Sequence, residues 1–289
     1  MTEEHADETC YEERGGIAIV TINRPEKKNT LTNSVIQGIA DGMDRASRSK
    51  NVAAVVLRGA GDTLTAGYDL TANRGDWDTP YGAPDVDHRA GAWDPVRDWQ
   101  FMGNNVRRFM SIWDCPKPVL GEIKGWAIGG ATDLILCCDQ LYMASDAHIG
   151  YAPSRIYGTP TTMLWVYRLG LEHAKQFLLT GRAIDAATAH RIGLVSQVVP
   201  PDELEAFIEE EAKLFLNIPA NQLALNKLLI NQAFENMGLR TTQLLGTLFD
   251  GMTRHTEEAH RWVESFQEKG FRQVIRERDA PWKDYGEKP

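Results

Sequence analysis

Cysteine is scarce in this chain of 289 residues: four in all, at Cys10, Cys115, Cys137 and Cys138, with no C-x-x-C spacing. That excludes a secreted disulfide scaffold and marks the thiols as reduced. Positive charge is also in deficit, with 31 Lys+Arg against 40 Asp+Glu and a balance of −9. Neutralising a phosphate backbone needs clustered cations, so a nucleic-acid partner is not expected. An anionic small ligand held by a few local cations remains compatible with that balance. No run approaches the roughly 18 apolar residues of a membrane span, and residues 1–10 carry four acidic residues where a secretory signal is basic and then apolar. A cytoplasmic location without a membrane partner is the expectation. Several chemical signatures are missing too. There is no GxxxxGK[ST], no GxGxxG after a strand, no GxSxG elbow and no HExxH among the seven histidines, so phosphate-loop, dinucleotide, serine-hydrolase and metal chemistry have no support.

What is present is an ordinary globular composition, 43% apolar and 25% charged, in a chain long enough to bury a large core. A polar leader, residues 1–14, precedes a run at 17–22 that is β-branched and apolar on both faces, as a buried strand requires. The loop Asn23-Arg24-Pro25-Glu26-Lys27-Lys28-Asn29 follows. Val35, Ile39 and Met43 then mark one stripe of a helix over 32–49, and 52–57 reads as a second buried strand. Strand, helix, strand in so short a span implies a right-handed parallel crossover.

Residues 71–99 break this rhythm with six aspartates, three prolines and no sustained periodicity. Loops of such length are commonly lids or binding segments, and Trp77, Tyr81, Trp93 and Trp99 speak against a merely solvated insertion. Helical spacing resumes at Met102, Val106, Phe109, Met110 and Trp113. Strands are then expected at 119–123, 140–144 and 194–199, and short helices at 131–138 and 186–191, the latter capped by Asp185. After Pro200-Pro201 the chain reads as helical at 202–216, 222–234 and 256–268. The division expected is an α/β core over 15–200 and a helical region over 201–289 that serves assembly.

Two glycine-bearing turns follow buried strands in matching contexts: Thr65-Ala66-Gly67-Tyr68-Asp69-Leu70 and Ile128-Gly129-Gly130-Ala131-Thr132-Asp133. Backbone N–H groups converging from two such turns form an oxyanion hole, which stabilises charge building on a carbonyl oxygen. Together with 23–29, the stretch Leu178-Leu179-Thr180-Gly181-Arg182 and the run from Ala189 to Pro200, these segments resemble the crotonase superfamily, and within it the enoyl-CoA hydratase/isomerase family, in order and spacing over roughly residues 11–270.

The resemblance implies a crotonase (ClpP/crotonase-like) α/β fold, a repeated ββα spiral core with a C-terminal helical region packed as a homotrimer or dimer of trimers. It implies an acyl-CoA substrate, with coenzyme A present only as part of that substrate and no separate cofactor or metal. The oxyanion donors become the N–H groups of Tyr68 and Gly130, and the proton-transfer carboxylate becomes Asp133. Arg24, Lys27 and Lys28 match the family's basic entrance loop near the CoA phosphates, Ala66, Asp69 and Leu70 line the pantetheine or adenine, and Ile128 and Gly129 belong to the same CoA- and substrate-binding set. Tyr151, Pro153, Ser154 and Tyr157 border the acyl group.

One departure stands out. The family's hydratases place a second carboxylate in a G-x-P-E-like segment, where this chain reads Gly150-Tyr151-Ala152-Pro153-Ser154-Arg155. Either Pro153 or Ser154 takes that place, and neither is a useful base near neutral pH. A one-carboxylate reaction survives this loss. So do two rivals: thioester or carbon–carbon hydrolysis on the same fold, and an acyl-CoA-binding protein without catalysis. Each feature also has a plainer reading. Asp133 could merely favour a helix N-terminus, the three cations could be a solvated turn, and Cys137-Cys138 reads as packing on a buried helix.

Overall fold

The computed structural model describes residues 8–69 and 93–285. Its first strand, β1 (Thr9–Arg14), pairs antiparallel with β2 (Ile17–Ile22), in register Thr9↔Ile22 to Arg14↔Ile17. The intervening Gly15 and Gly16 both have positive φ, at 55° and 83°, which a two-residue hairpin turn of this hand requires. The end of the segment read as a polar leader is therefore an edge strand, whose polar residues face solvent on the side β2 leaves uncovered.

From β2 onward the chain repeats one unit: a strand in the main sheet, a short bridge or strand beside it, and a helix. β2 leads through an isolated bridge at Leu31 into α1 (Asn33–Arg48), whose first turn is capped by the Thr32 hydroxyl accepting from the Val35 N–H. β3 (Ala54–Gly59) leads through a bridge at Thr65, past the undescribed residues, to α2 (Pro95–Asp114), capped by Asp94. β4 (Val119–Ile123) and β5 (Trp126–Ile128) are followed by α3 (Gly130–Ile135). β6 (Gln140–Ala144) and β7 (His148–Gly150) are followed by α4 (Leu164–Leu178), which is interrupted at Gly170. β8 (Ile184–Asp185), α5 (Ala186–Arg191) and β9 (Gln197–Val199) close the series. The main sheet runs β1-β2-β3-β4-β6-β9, parallel from β2 on, and a second sheet runs β5-β7-β8. Each turn of the spiral thus leaves one sheet for the other, and the crossings bring the short connecting segments together.

Burial explains the continuous apolar runs. Ile17, Ala18, Ile19 and Val20 of β2 and Val55, Val56 and Leu57 of β3 are all inaccessible, covered by α1 on one side and later helices on the other. The strand read at 52–57 begins at Ala54 because its parallel register with β2 starts at Ile17↔Ala54. The strand read from 194 is paired only over Gln197–Val199. The helix read as 131–138 ends at Ile135, after which the amides of Cys137 and Cys138 bond three residues back, to Leu134 and Ile135.

Beyond β9 come α6 (Leu204–Leu214), α7 (Ala220–Asn236), α8 (Leu239–Arg254), α9 (Glu257–Lys269) and α10 (Phe271–Asp279). Neither α8 nor α10 was expected from apolar spacing. In α8 the usual amphipathic pattern is reversed: Gln243, Gly246, Thr247, Asp250 and Gly251 are buried, whereas Leu244, Leu245, Phe249 and Met252 are exposed. Among the described residues no helix is long and apolar enough to cross a membrane.

Candidate active site

The first glycine turn leaves the buried segment Thr63 to Thr65 and doubles back at Gly67, whose φ is 91°. It is tied to the loop before α1, because Leu31 donates to the Gly67 carbonyl (2.8 Å) and Asp69 donates to the Leu31 carbonyl (3.0 Å). The second turn follows β5 at Gly129, with φ 58° and ψ −118°, a conformation open to glycine and few other residues. A short chain of bonds holds it there: Gly129 N–H to the Gly150 carbonyl (3.0 Å), the Thr132 hydroxyl to the Gly129 carbonyl (2.7 Å), and the Trp165 indole N–H to the Thr132 oxygen (3.1 Å).

The two turns touch. A β-carbon on Gly67 would lie 2.5 Å from the Ile128 carbonyl oxygen and 3.5 Å from the Gly130 nitrogen. A β-carbon on Gly130 would lie 2.6 Å from the Tyr68 ring. Glycine at both positions is what lets the Tyr68 and Gly130 backbones come together, with Ile128 half-buried and Ala66 exposed at the rim.

Asp133 projects from α3 three residues beyond Gly130 and is 2% exposed. Its Oδ1 accepts from the Thr162 N–H (2.9 Å) and hydroxyl (3.0 Å). Burial raises its pKa to about 7 against the lowering effect of the Thr162 bonds, and the nearby Asp250 charge adds to the rise. A carboxyl that titrates near neutrality can both take and give a proton. The Tyr68 and Tyr151 phenols are pushed far up, first by burial and then by the charges of Asp133 and Asp250. They stay protonated and can donate a hydrogen bond but not act as bases.

The 150–158 loop separates the two candidates for the missing carboxylate position. Pro153 faces the second glycine turn, its Cγ 3.2 Å from where a Gly129 β-carbon would sit. Ser154 instead lines a cavity of about 450 Å³ under α9 and α10, with Arg155, Trp262 and Trp282. Arg155 is the anchor of this loop, paired with Asp279 (2.8 Å) and Asp284 (2.6 Å) and lying over the Trp282 and Tyr285 rings. Tyr157 meets Trp262 edge-on at 5.9 Å.

A cluster that apolar periodicity could not reveal closes the other side. Asp250 of α8 accepts from the Thr159 N–H (3.2 Å) and pairs with Arg254, which also pairs with Asp98 of α2. Asp98 accepts in turn from the Trp93 indole (3.2 Å), and the Trp93 ring lies against His255, tilted by 31° at a centroid distance of 4.8 Å. The available signal was a face of α8 made of glycine, threonine, glutamine and aspartate, which marks a polar surface turned inward.

The basic loop is divided in its roles. Arg24 is turned inward, bonded to Glu8 (2.9 Å), Asp69 (3.2 Å) and the Thr30 carbonyl (2.8 Å), so Arg24 and Asp69 clamp the loop to the first glycine turn. Asn29, buried with φ 53°, completes the clamp by donating to the Ala60 (2.8 Å) and Thr63 (2.7 Å) carbonyls. Lys27 and Lys28 face solvent, Lys28 near Asp62 at 3.2 Å. Leu70 and residues 71–92 lie outside the described residues, whereas 93–99 hold Trp93, the Asp94 cap and the first turn of α2. Cys115, Cys137 and Cys138 are buried free thiols, with the Cys137 thiol donating to the Asp133 carbonyl (3.1 Å), and burial pushes all three pKa values up, away from nucleophilic thiolate.

The chain is similar to known proteins over most of its length. A family model described as enoyl-CoA hydratase/isomerase matches residues 12–284. A short-chain-enoyl-CoA hydratase of Clostridium acetobutylicum is 31% identical over 78% of this chain and 81% of the relative. A crotonyl-CoA hydratase of Syntrophomonas wolfei is 27% identical over 88% of this chain and 92% of the relative. A solved enoyl-CoA hydratase of Mycobacterium smegmatis superimposes with a TM-score of 0.90 at 37% identity, over 97% of this chain and 96% of that one. The spiral of strands and helices described above is accordingly the crotonase fold.

Proposed function

The chain belongs to the enoyl-CoA hydratase/isomerase family, and from that premise we propose that it converts an acyl-CoA thioester through an enolate. The Tyr68 and Gly130 N–H groups polarise the thioester carbonyl, and Asp133 moves the proton. The observation that carries this reading is the contact between the two glycine turns with a buried carboxyl, of pKa about 7, three residues past the second. Each backbone donor contributes about 3–4 kcal/mol to stabilising an oxyanion when its loss is measured. Lys27 and Lys28 meet the CoA phosphates at the mouth, on a loop that Arg24 and Asp69 hold in place. Tyr151, Pro153 and Tyr157 bound the acyl group, and the Tyr68 and Tyr151 phenols orient it or a water. The local cations matter because the chain as a whole is acidic and opposes an anionic ligand.

The test is a panel of enoyl- and acyl-CoA thioesters of different chain length and branching. At least one is expected to be hydrated or isomerised with its thioester intact. Stoichiometric release of free CoA would favour hydrolysis instead, and tight binding without any product would overturn catalysis altogether.

Assembly as a homotrimer or dimer of trimers is part of the same proposal. Leu225, Leu228, Leu229 and Ile230 of α7 are 59–73% exposed, and the outer face of α8 adds Phe249 and Met252. Exposed apolar side chains in this number favour association. Native mass spectrometry is expected to give three or six times the chain mass, and Leu229→Asp to shift the population toward monomer. A wild-type monomer at micromolar concentration would refute this part.

A further inference from the structure

We propose that Asp250 is a second proton-transfer carboxylate of this site, brought by α8 to the side of Pro153, where the 150–158 loop has no carboxylate. The proposal rests on the acyl-CoA reading above and deepens it from one carboxylate to two.

Position is the first argument. A β-carbon on Gly158 would lie 3.3 Å from Asp250 Oδ1, 3.3 Å from Pro153 Cβ and 3.6 Å from the Tyr151 hydroxyl oxygen. One small volume is therefore bounded by the carboxylate, the proline and the phenol. Pro153 in turn abuts the Gly129-Gly130 turn, so Asp250 stands across the proline from the proposed oxyanion donors.

The second argument is the way each carboxylate is held. Asp133 Oδ1 takes the Thr162 N–H at 2.9 Å, and Asp250 Oδ1 takes the Thr159 N–H at 3.2 Å. Two carboxylates from separate elements are thus fixed by amides three residues apart on one loop. α8 is locked to that loop by the Thr159 hydroxyl donating to the Gly246 carbonyl (2.8 Å) and by Gln243 donating to the Thr162 carbonyl (3.1 Å).

The third is the reversed amphipathicity of α8. A helix packed for stability alone turns its apolar stripe inward, and burying a charge in its place is costly unless the charge is paired. Here the buried face carries an aspartate that Arg254 and Asp98 secure as a buried triad. Arg254 and Asp98 act as positioning residues, leaving lone pairs of the Asp250 carboxylate for a reacting proton.

With two carboxyls, hydration becomes balanced. One carboxylate takes a proton from water as the water oxygen bonds to Cβ, and the C=C electron pair moves into the thioester as an enolate. The other carboxyl, protonated, gives its proton to Cα as the carbonyl re-forms. One water has added across one double bond, and the two carboxyls, having exchanged protonation states, return by proton exchange with solvent.

The experiment uses the full-length protein and whichever enoyl-CoA the panel shows to be turned over. Asp250→Asn is expected to lower kcat by about 100-fold or more with KM changed by less than about threefold. Added formate is expected to restore part of the activity of Asp250→Ala, which a purely structural loss would not allow. An Asp250→Asn enzyme with kcat within about threefold of wild type, or a loss that formate does not touch, overturns the proposal while wild-type turnover leaves the acyl-CoA reading standing. A wild type that turns over no thioester removes both. Should the Asn and Ala variants not fold, Asp250→Glu decides: kcat lowered by about tenfold at unchanged melting temperature supports the role, and unchanged kcat overturns it.

Discussion

Asp133→Asn is expected to reduce turnover by about 10³-fold and, at the same time, to raise the melting temperature above neutral pH. Asparagine keeps an oxygen for the Thr162 amide and a similar volume, so the pocket and the affinity for CoA are retained. What is lost is the proton carrier, and a positioned general acid or base contributes about 10²–10⁴-fold. The stability effect follows from linkage. Asp133 is 2% exposed and its pKa is raised to about 7, so the folded state holds the proton more tightly than the unfolded chain does. A raised acid costs nothing below the unfolded value near 4, and its penalty grows as pH rises from there to the folded value near 7, above which it levels off at about 4 kcal/mol. The asparagine variant carries no such penalty, offset only in part by a weaker bond to Thr162. The difference in melting temperature between variant and wild type should therefore be small near pH 4, widen up to about pH 7 and stay level above it. Wild-type turnover in Asp133→Asn would sink the catalytic role, and a pH-independent difference would sink the assignment of a buried, titrating carboxyl.

Such a trade of stability for chemistry also explains which parts of the molecule could be read from the chain alone. Buried parallel strands announce themselves because both faces must be apolar, and the turns at Gly67 and Gly129 because positive φ and close backbone approach leave glycine as the residue that fits. Asp133 is singled out through the family resemblance, which implies a carboxylate three residues past the second turn. The features missed share one cause, which is partnership across long separations. Arg24 and Asp69 read as ligand-binding residues until the fold brings them within 3.2 Å of each other, 45 positions apart. The choice between Pro153 and Ser154 depends on which way a short loop faces. α8 was missed because its apolar residues point outward and its polar ones inward, the opposite of what hydrophobic spacing seeks, and Asp250 was missed with it. Polar residues at helical spacing beside small ones are the pattern that could have found both.

The glycine turns carry the other large effect, and they differ in a way that can be measured. At Gly67 an added methyl meets the Ile128 carbonyl oxygen at 2.5 Å, on a backbone whose φ of 91° already disfavours alanine. Neither obstacle is a side chain that can move aside, so the turn itself must shift, and with it the N–H of Tyr68. Removing one oxyanion donor costs about 10²–10³-fold in kcat, which is the loss expected for Gly67→Ala. At Gly130 the obstacle is the Tyr68 ring, 2.6 Å from the built β-carbon and packed 6.4 Å from Phe109. Truncating that ring should make room. Gly130→Ala is thus expected to recover at least tenfold in kcat when combined with Tyr68→Ala, an interaction energy of about 1.4 kcal/mol or more in a double-mutant cycle. Gly67→Ala should gain nothing from the same second change, since its clash is with backbone. Equal behaviour of the two alanine variants in this cycle would mean that the turns do not meet as described, and the oxyanion role of Tyr68 and Gly130 would lose its geometric basis.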